Sequence, residues 1–304
     1  MTKEREGEFL MLGLTVIESW FPILSIVAMS YIGALHTYTY SLLVALVFFI
    51  VIMYKRDRFK ELENREAYKD LLLTSFWITL LFTLVFIGMQ YTTAGNMAVI
   101  IFLQLLFSYL YFNVLGKEKM DRLHLIGAIV MGIGALIILI PDTLTFNKGD
   151  LLILIAAAIA PFANLYQKRA RNYCSSETIL GFRTVVGLPF IASLAWIFEP
   201  ATSYENFIAA LPSLLVIGIL VYVVSKIMWI EALHRISITK VSAMMGLVPM
   251  MTLFFAYFYL DEVPQLRQII GIIPVLIGGY LLTKPIDTET QTNKLDKIEQ
   301  KESK

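Results

Sequence analysis

Ten apolar runs punctuate the chain, at 9–29, 38–54, 71–90, 95–115, 123–140, 150–167, 178–198, 210–233, 239–259 and 266–283. Each is close to the roughly 20 residues that a helix needs to cross a bilayer. Backbone groups cannot stay unpaired in hydrocarbon, and these runs are too long and continuous for barrel strands. They therefore predict ten transmembrane helices. A second regularity lies over the first. The stretch Tyr91 to Ile138 returns 144 positions later, from Arg235 to Leu282, superposing Leu103 on Leu247, Glu118 on Glu262, Gly127 on Gly271 and Gly134 on Gly278. In each copy an apolar run ends at an acidic turn, and a second run with two glycines seven apart begins. An internal repeat of this kind implies two related halves of five helices.

Charge fixes how the halves face. With the N-terminus inside, Lys and Arg crowd the inner loops: six lie between Lys55 and Lys69, and Lys117, Lys119, Arg122, Lys168, Arg169 and Arg171 follow. Among the outer loops only Lys148 and Arg267 are basic. By the positive-inside rule both termini are cytoplasmic. The Lys117-Glu118 turn then falls inside and the repeat-equivalent Asp261-Glu262 turn outside, so the halves are inverted. Secondary transporters commonly have this form, with a substrate site near the midplane at the junction of the halves.

Composition agrees and narrows the chemistry. The 304 residues are 58% hydrophobic with mean hydropathy +0.70, and 16% are charged, against about a quarter in soluble domains. The partner is a lipid bilayer, here the cytoplasmic (inner) membrane. A net charge of +1 gives no basic field for nucleic acid. The one cysteine, Cys174, excludes an internal disulfide. His36, His124 and His234 have no ligand-like spacing, and neither a phosphate-cradling glycine loop nor an H-E-x-x-H pattern is present. No metal and no cofactor are expected.

The second half carries Glu231-Ala232-Leu233, Ile236 to Ser242, Pro249, the Leu260-Asp261-Glu262 turn and the helix with Gly271, Gly278 and Gly279. The first opens with Gly7-Glu8, which is similar to Gly149-Asp150. This pattern resembles the drug/metabolite transporter superfamily, specifically its EamA-type members, over roughly residues 8 to 283. The first half departs from it at Leu105, opposite Pro249, and at Gly116-Lys117. The resemblance implies an all-α polytopic membrane protein with ten transmembrane helices as two inverted five-helix repeats. It also implies export of metabolites such as amino acids, or movement of sugars and related solutes. The first repeat is assigned to residues 1–140, an extracytoplasmic linker to 141–149, the second repeat to 150–284, and a disordered cytoplasmic tail to 285–304.

Candidate site residues are the polar positions inside the runs. Glu18 lies about 15 Å along the first helix from Glu8, near the membrane centre, where an acid usually faces a cavity or a partner. Its structural alternative is a protonated carboxyl bonded to a neighbouring helix. Lys226, with Tyr222 and Trp229 on its face, lies at a compatible depth, and an ion pair with Glu18 that breaks on substrate binding or protonation stands beside snorkelling as its reading. Arg183 lies nearer the cytoplasmic end of its run and is expected to snorkel to lipid phosphate. Asn96, Gln104, Ser108 and Tyr111 form a stripe that lines a path or makes interhelical hydrogen bonds, and Asn164 sits beside Pro161. The glycine pairs serve close helix packing.

The reading that results is a secondary transporter, more an exporter than an importer, moving a small-molecule solute by a proton gradient or by exchange. Its substrate-binding residues are Glu18, Gln104, Asn164, Tyr222, Lys226 and Trp229, and a homodimer stays open. An intramembrane enzyme acting on lipid would need an acid/base or nucleophile cluster at one interface. A sensor or scaffold would lack solute-dependent access changes.

Overall fold

The computed structural model describes residues 3–111, 122–139, 147–233, 244–282 and 284. The Lys117-Glu118 turn, His234, Ser242, most of the linker and the 285–304 tail lie outside them. Among the described residues the spans are helical: α1 Lys3–Ile32, α2 Ala34–Lys55, α3 Tyr68–Met89, α4 Ala94–Tyr109, α5 Arg122–Leu139, α6 Lys148–Ala170 and α7 Ser176–Phe198. The eighth, α8, is composite: Tyr204–Val216, then a π-helical stretch Ile217–Ser225, then Lys226–Leu233. Two more, α9 Leu247–Tyr259 and α10 Leu266–Leu282, complete the bundle. Six of these spans are long and apolar enough to cross a membrane, and α4, α5, α9 and α10 are shorter apolar helices.

Local chemistry sets the starts. Thr93, Asn147, Ser175 and Ser203 stand just before α4, α6, α7 and α8, and each side chain accepts a hydrogen bond from a backbone N–H of the first turn. Such caps satisfy donors that the helix itself leaves free.

The repeat shows itself most plainly where α5 meets α10. A methyl group added at Gly127 would meet the carbonyl of Gly278 at 3.0 Å, and one at Gly134 would meet that of Gly271 at 2.7 Å. Under the 144-residue shift Gly127 corresponds to Gly271 and Gly134 to Gly278. Each glycine thus faces the equivalent of the other, as across a two-fold axis perpendicular to two antiparallel helices, which is the geometry of an inverted repeat. Small residues let backbones approach where lipid supplies no hydrophobic drive between helices. The remaining packing obeys the same exchange: α3 lies on α6 as α8 lies on α1, and α2 pairs with α7. Both fourth helices are also interrupted within one residue of equivalent places. Regular structure is interrupted at Leu103 in α4 and at Gly246 before α9.

Acidic side chains tie the halves at both ends. Glu199, between α7 and α8, accepts from the backbone N–H groups of Leu35 and His36 at 2.9 Å each, closing the N-terminus of α2. On the opposite face Glu61, between α2 and α3, accepts from the Ser175 N–H at 2.6 Å and the Thr178 hydroxyl at 2.7 Å at the start of α7. Carboxylates complement the positive end of a helix dipole. Glu262 does the same for Ala94 and Gly95 of α4, at 3.1 and 3.4 Å.

Candidate transport site

Glu18 projects from the middle of α1 towards α8, and Lys226 Nζ lies 2.6 Å from its Oε1. The Ser225 hydroxyl is within hydrogen-bonding reach of the same carboxylate oxygen and of the Val221 carbonyl one turn back. It has one proton, so donating to Glu18 means leaving Val221. The local backbone allows this arrangement: the pair stands at the end of the π-helical stretch, and such stretches are rare and concentrate at functional positions. On the α1 side Gly13 brings the helices together, since a methyl group there would meet Met228 at 2.8 Å. The side chains of Glu18 and Lys226 keep 15% and 27% of their exposure. A fully dry pair would owe several kcal/mol per ion in lost hydration.

The other expected residues distribute unevenly. Tyr222, one turn before Lys226, is buried among Phe21, Tyr38 and Phe82, with ring centroids 6.3, 6.3 and 5.5 Å away, and its hydroxyl has no hydrogen-bond partner. Glu18, Arg183 and Tyr38 all lie within electrostatic reach of that hydroxyl. Trp229 packs on the α1 residues Met11 and Leu14, one turn below the ion pair. Gln104 and Asn164 meet elsewhere, between α4 and α6, where the Asn164 amide donates to Gln104 Oε1 at 3.4 Å. Gln104 is the first residue past the break at Leu103, and discontinuous helices mark solute sites in transporters. The six candidates thus form two groups, one on the α1–α8 seam and one on the α4–α6 seam.

Asn96 takes the interhelical hydrogen-bond alternative: it is buried, donating to both carboxylate oxygens of Asp150 at 3.2 and 3.1 Å and accepting from Gln268 at 2.6 Å, so it joins helix ends. The mostly exposed Lys55 to Asp70 loop supplies Glu61 to cap α7. Its partner lies 114 positions away, which local spacing cannot reveal. Arg183 does not snorkel to the lipid surface. It turns inward, donating to Gln167 Oε1 at 3.1 Å, and lines an internal pocket between α2, α3, α7 and α8 with Tyr38, Thr79, Phe82 and Tyr222. Its distance from the helix end, the signal used in the sequence, says nothing about which way the helix is rotated.

Comparison with known proteins bears on both fold and activity. The EamA-like transporter family matches the chain twice, over residues 5–140 and 147–284. An uncharacterised transporter of Archaeoglobus fulgidus is 29% identical over 215 residues, 68% of this chain and 72% of the relative. The Bacillus subtilis transporter YoaV is 25% identical over 200 residues, 64% of this chain and 68% of its own length. Among solved proteins, one crystal structure superposes with a TM-score of 0.64 over 91% of this chain and 96% of its own, at 14% identity, a likeness of fold.

Proposed function

The chain belongs to the EamA-like transporter family, and within that multi-pass membrane transporter role we propose a secondary active exporter of a small metabolite, an amino acid or related solute. In this reading both termini lie in the cytoplasm, the inner membrane holds the bundle, and a proton gradient or solute exchange supplies the drive. The observation that carries it is the Glu18–Lys226 pair: opposite charges between the middle of α1 and α8, partly exposed, on a seam between the two halves.

A proton arriving on a Glu18 carboxylate oxygen removes the charge that holds Lys226. The Ser225 proton then returns to the Val221 carbonyl, the other acceptor within its reach. Lys226 is left as an unpaired ammonium in low dielectric, and a solute acceptor group satisfies it. Gln104, Asn164, Tyr222 and Trp229 border the path on this account.

A solute panel on the purified protein, read as thermal stabilisation and then as flux in reconstituted vesicles, tests the reading. Glu18→Gln is expected to abolish flux driven by an imposed pH gradient while the protein still assembles. Unchanged flux in that variant contradicts the role given to Glu18.

A further inference from the structure

Arg183 differs from the other interior cation. Lys226 has Glu18, and nearer the membrane surface Arg56 has Glu177 and Arg58 has Glu61. Among the described residues Arg183 has no carboxylate within ion-pair distance, and its one hydrogen bond goes to the neutral amide of Gln167. Arg stays protonated under any ordinary condition, so this is an interior positive charge that no carboxylate among the described residues answers.

The pocket around Arg183 is built to the same sign. Among the described residues no acidic side chain lines it. The Tyr222 hydroxyl on its wall is buried and unpartnered, although buried polar groups are nearly always satisfied. The hydroxyl-bearing side chains of Tyr38, Thr79 and Thr184 stand on the same wall, the last donating to the Leu180 carbonyl, and the rest is apolar, with Leu42, Phe49, Ile78 and Phe82. A guanidinium with free N–H groups, an idle phenol and an apolar collar together describe a receptor for a planar anion on a small apolar body.

We infer that this pocket is the subsite for a carboxylate on the transported solute, held by the Arg183 guanidinium and by a hydrogen bond from the Tyr222 hydroxyl. The inference rests on the transport reading above and sharpens it by naming the charge class of the solute. Tyr222 connects the two places, since its hydroxyl is within electrostatic reach of Arg183 on one side and Glu18 on the other. As it stands the pocket has a free volume of about 10 Å³, the space of a single water. A solute carboxylate needs more room than this, so binding would widen the pocket between its walls.

The purified full chain can be screened by thermal shift against short carboxylates, each beside its own primary amide: propionate with propionamide, L-leucine with L-leucinamide, and further pairs of the same design. Sodium chloride at matched ionic strength separates a solute carboxylate from a free inorganic anion. Acids are expected to stabilise the protein where their amides do not. Arg183→Lys, which keeps the charge and loses the planar fork, should weaken the best acid by about tenfold, and Arg183→Gln should abolish the shift. Tyr222→Phe removes an unpaired hydroxyl, so the solute-free protein should melt no lower than wild type while the same acid binds more weakly. Amides stabilising as well as acids, an undiminished shift in folded Arg183→Gln protein, or chloride alone reproducing the effect would each overturn the inference. So would a panel in which no acid binds while neutral or cationic solutes drive flux that depends on Glu18, an outcome that leaves the transport reading standing. Conversely, acid binding lost in Arg183→Gln, with flux indifferent to Glu18→Gln, would retain the subsite and remove the proton role.

Discussion

Where α1 meets α8 the protein places Glu18, Ser225 and Lys226; where α6 meets α3, the equivalent seam of the other half, it places Phe162, Leu81 and Phe82. The backbones differ as well. The α3 helix runs regularly through 73–81, whereas the corresponding part of α8 is π-helical. Phe162 stacks on Trp77 and Tyr111, at centroid distances of 5.4 and 5.0 Å, so the second seam is filled by rings. Glycines at repeat-equivalent positions carry the symmetry of the bundle. Its chemistry comes from positions where the halves no longer match. On the reading proposed above the first seam exchanges a proton and a partner, whereas the second is packed by rings, with Phe82 alone of these three also reaching the Arg183 pocket.

The largest test of that contrast is on the charged seam. Glu18→Gln should lower gradient-driven flux by at least about a hundredfold, the scale of losing a positioned proton carrier. Adding Lys226→Met to it should recover the melting temperature without recovering flux, because an unpaired charge is what destabilises. Flux restored by the double variant would show the pair to be structural. Next comes the symmetric framework. A methyl group at Gly271 would meet the Gly134 carbonyl at 2.9 Å and Ile138 at 2.5 Å, so Gly271→Val should cost ~3 kcal/mol in a reversible unfolding assay. An unshifted midpoint would mean that the α5–α10 seam does not hold the halves together.

A smaller effect is expected on the packed seam. Leu81→Ala should cost ~2 kcal/mol of stability through the cavity it leaves, yet leave flux per folded molecule within about twofold. A large loss of flux would make the α3–α6 seam a working surface too. The smallest effect belongs to the Glu61 cap. Burial pushes this carboxyl up, but the hydrogen bonds from Ser175 and Thr178, helped by Arg58, outweigh it and hold its pKa below the ordinary value. A depressed folded pKa gives stability that is fully present above the unfolded value, about 4.3, and is lost as pH falls through the folded value. Glu61→Gln should therefore cost about 1 kcal/mol at pH 7, the worth of a helix cap. The difference from wild type should vanish in acid, as melting curves of the two proteins from pH 7 to pH 3 would record.

Much of this was legible before any coordinates. The 144-residue shift and the odd number of spans already required an inverted bundle, because period, length and loop charge are local or additive signals. The depth of Glu18 and of Lys226, counted from helix ends, made their meeting geometrically allowed. What remained hidden depends on rotation and on distant partners. Arg183 and a lipid-facing arginine have the same spacing from the helix end, and only the packing of α7 on α2 and α3 turns this one inward. Asn96 and Gln104 lie on one helix and differ in role because Asp150 and Gln268 reach one of them, while the break at Leu103 frees the other. No residue type announces a π-helical stretch, and Ile217 to Ser225 reads as ordinary apolar helix.

The most direct measurement places a single cysteine at Asn164, an exposed position beside Gln104, after the native Cys174 is replaced by alanine. Membrane-impermeant thiol reagents are then applied from each face of oriented vesicles while the pH gradient is reversed. Two halves rocking about the charged seam predict labelling from both faces in turn, with access from one falling as access from the other rises. Labelling from the same single face under every gradient would contradict the account.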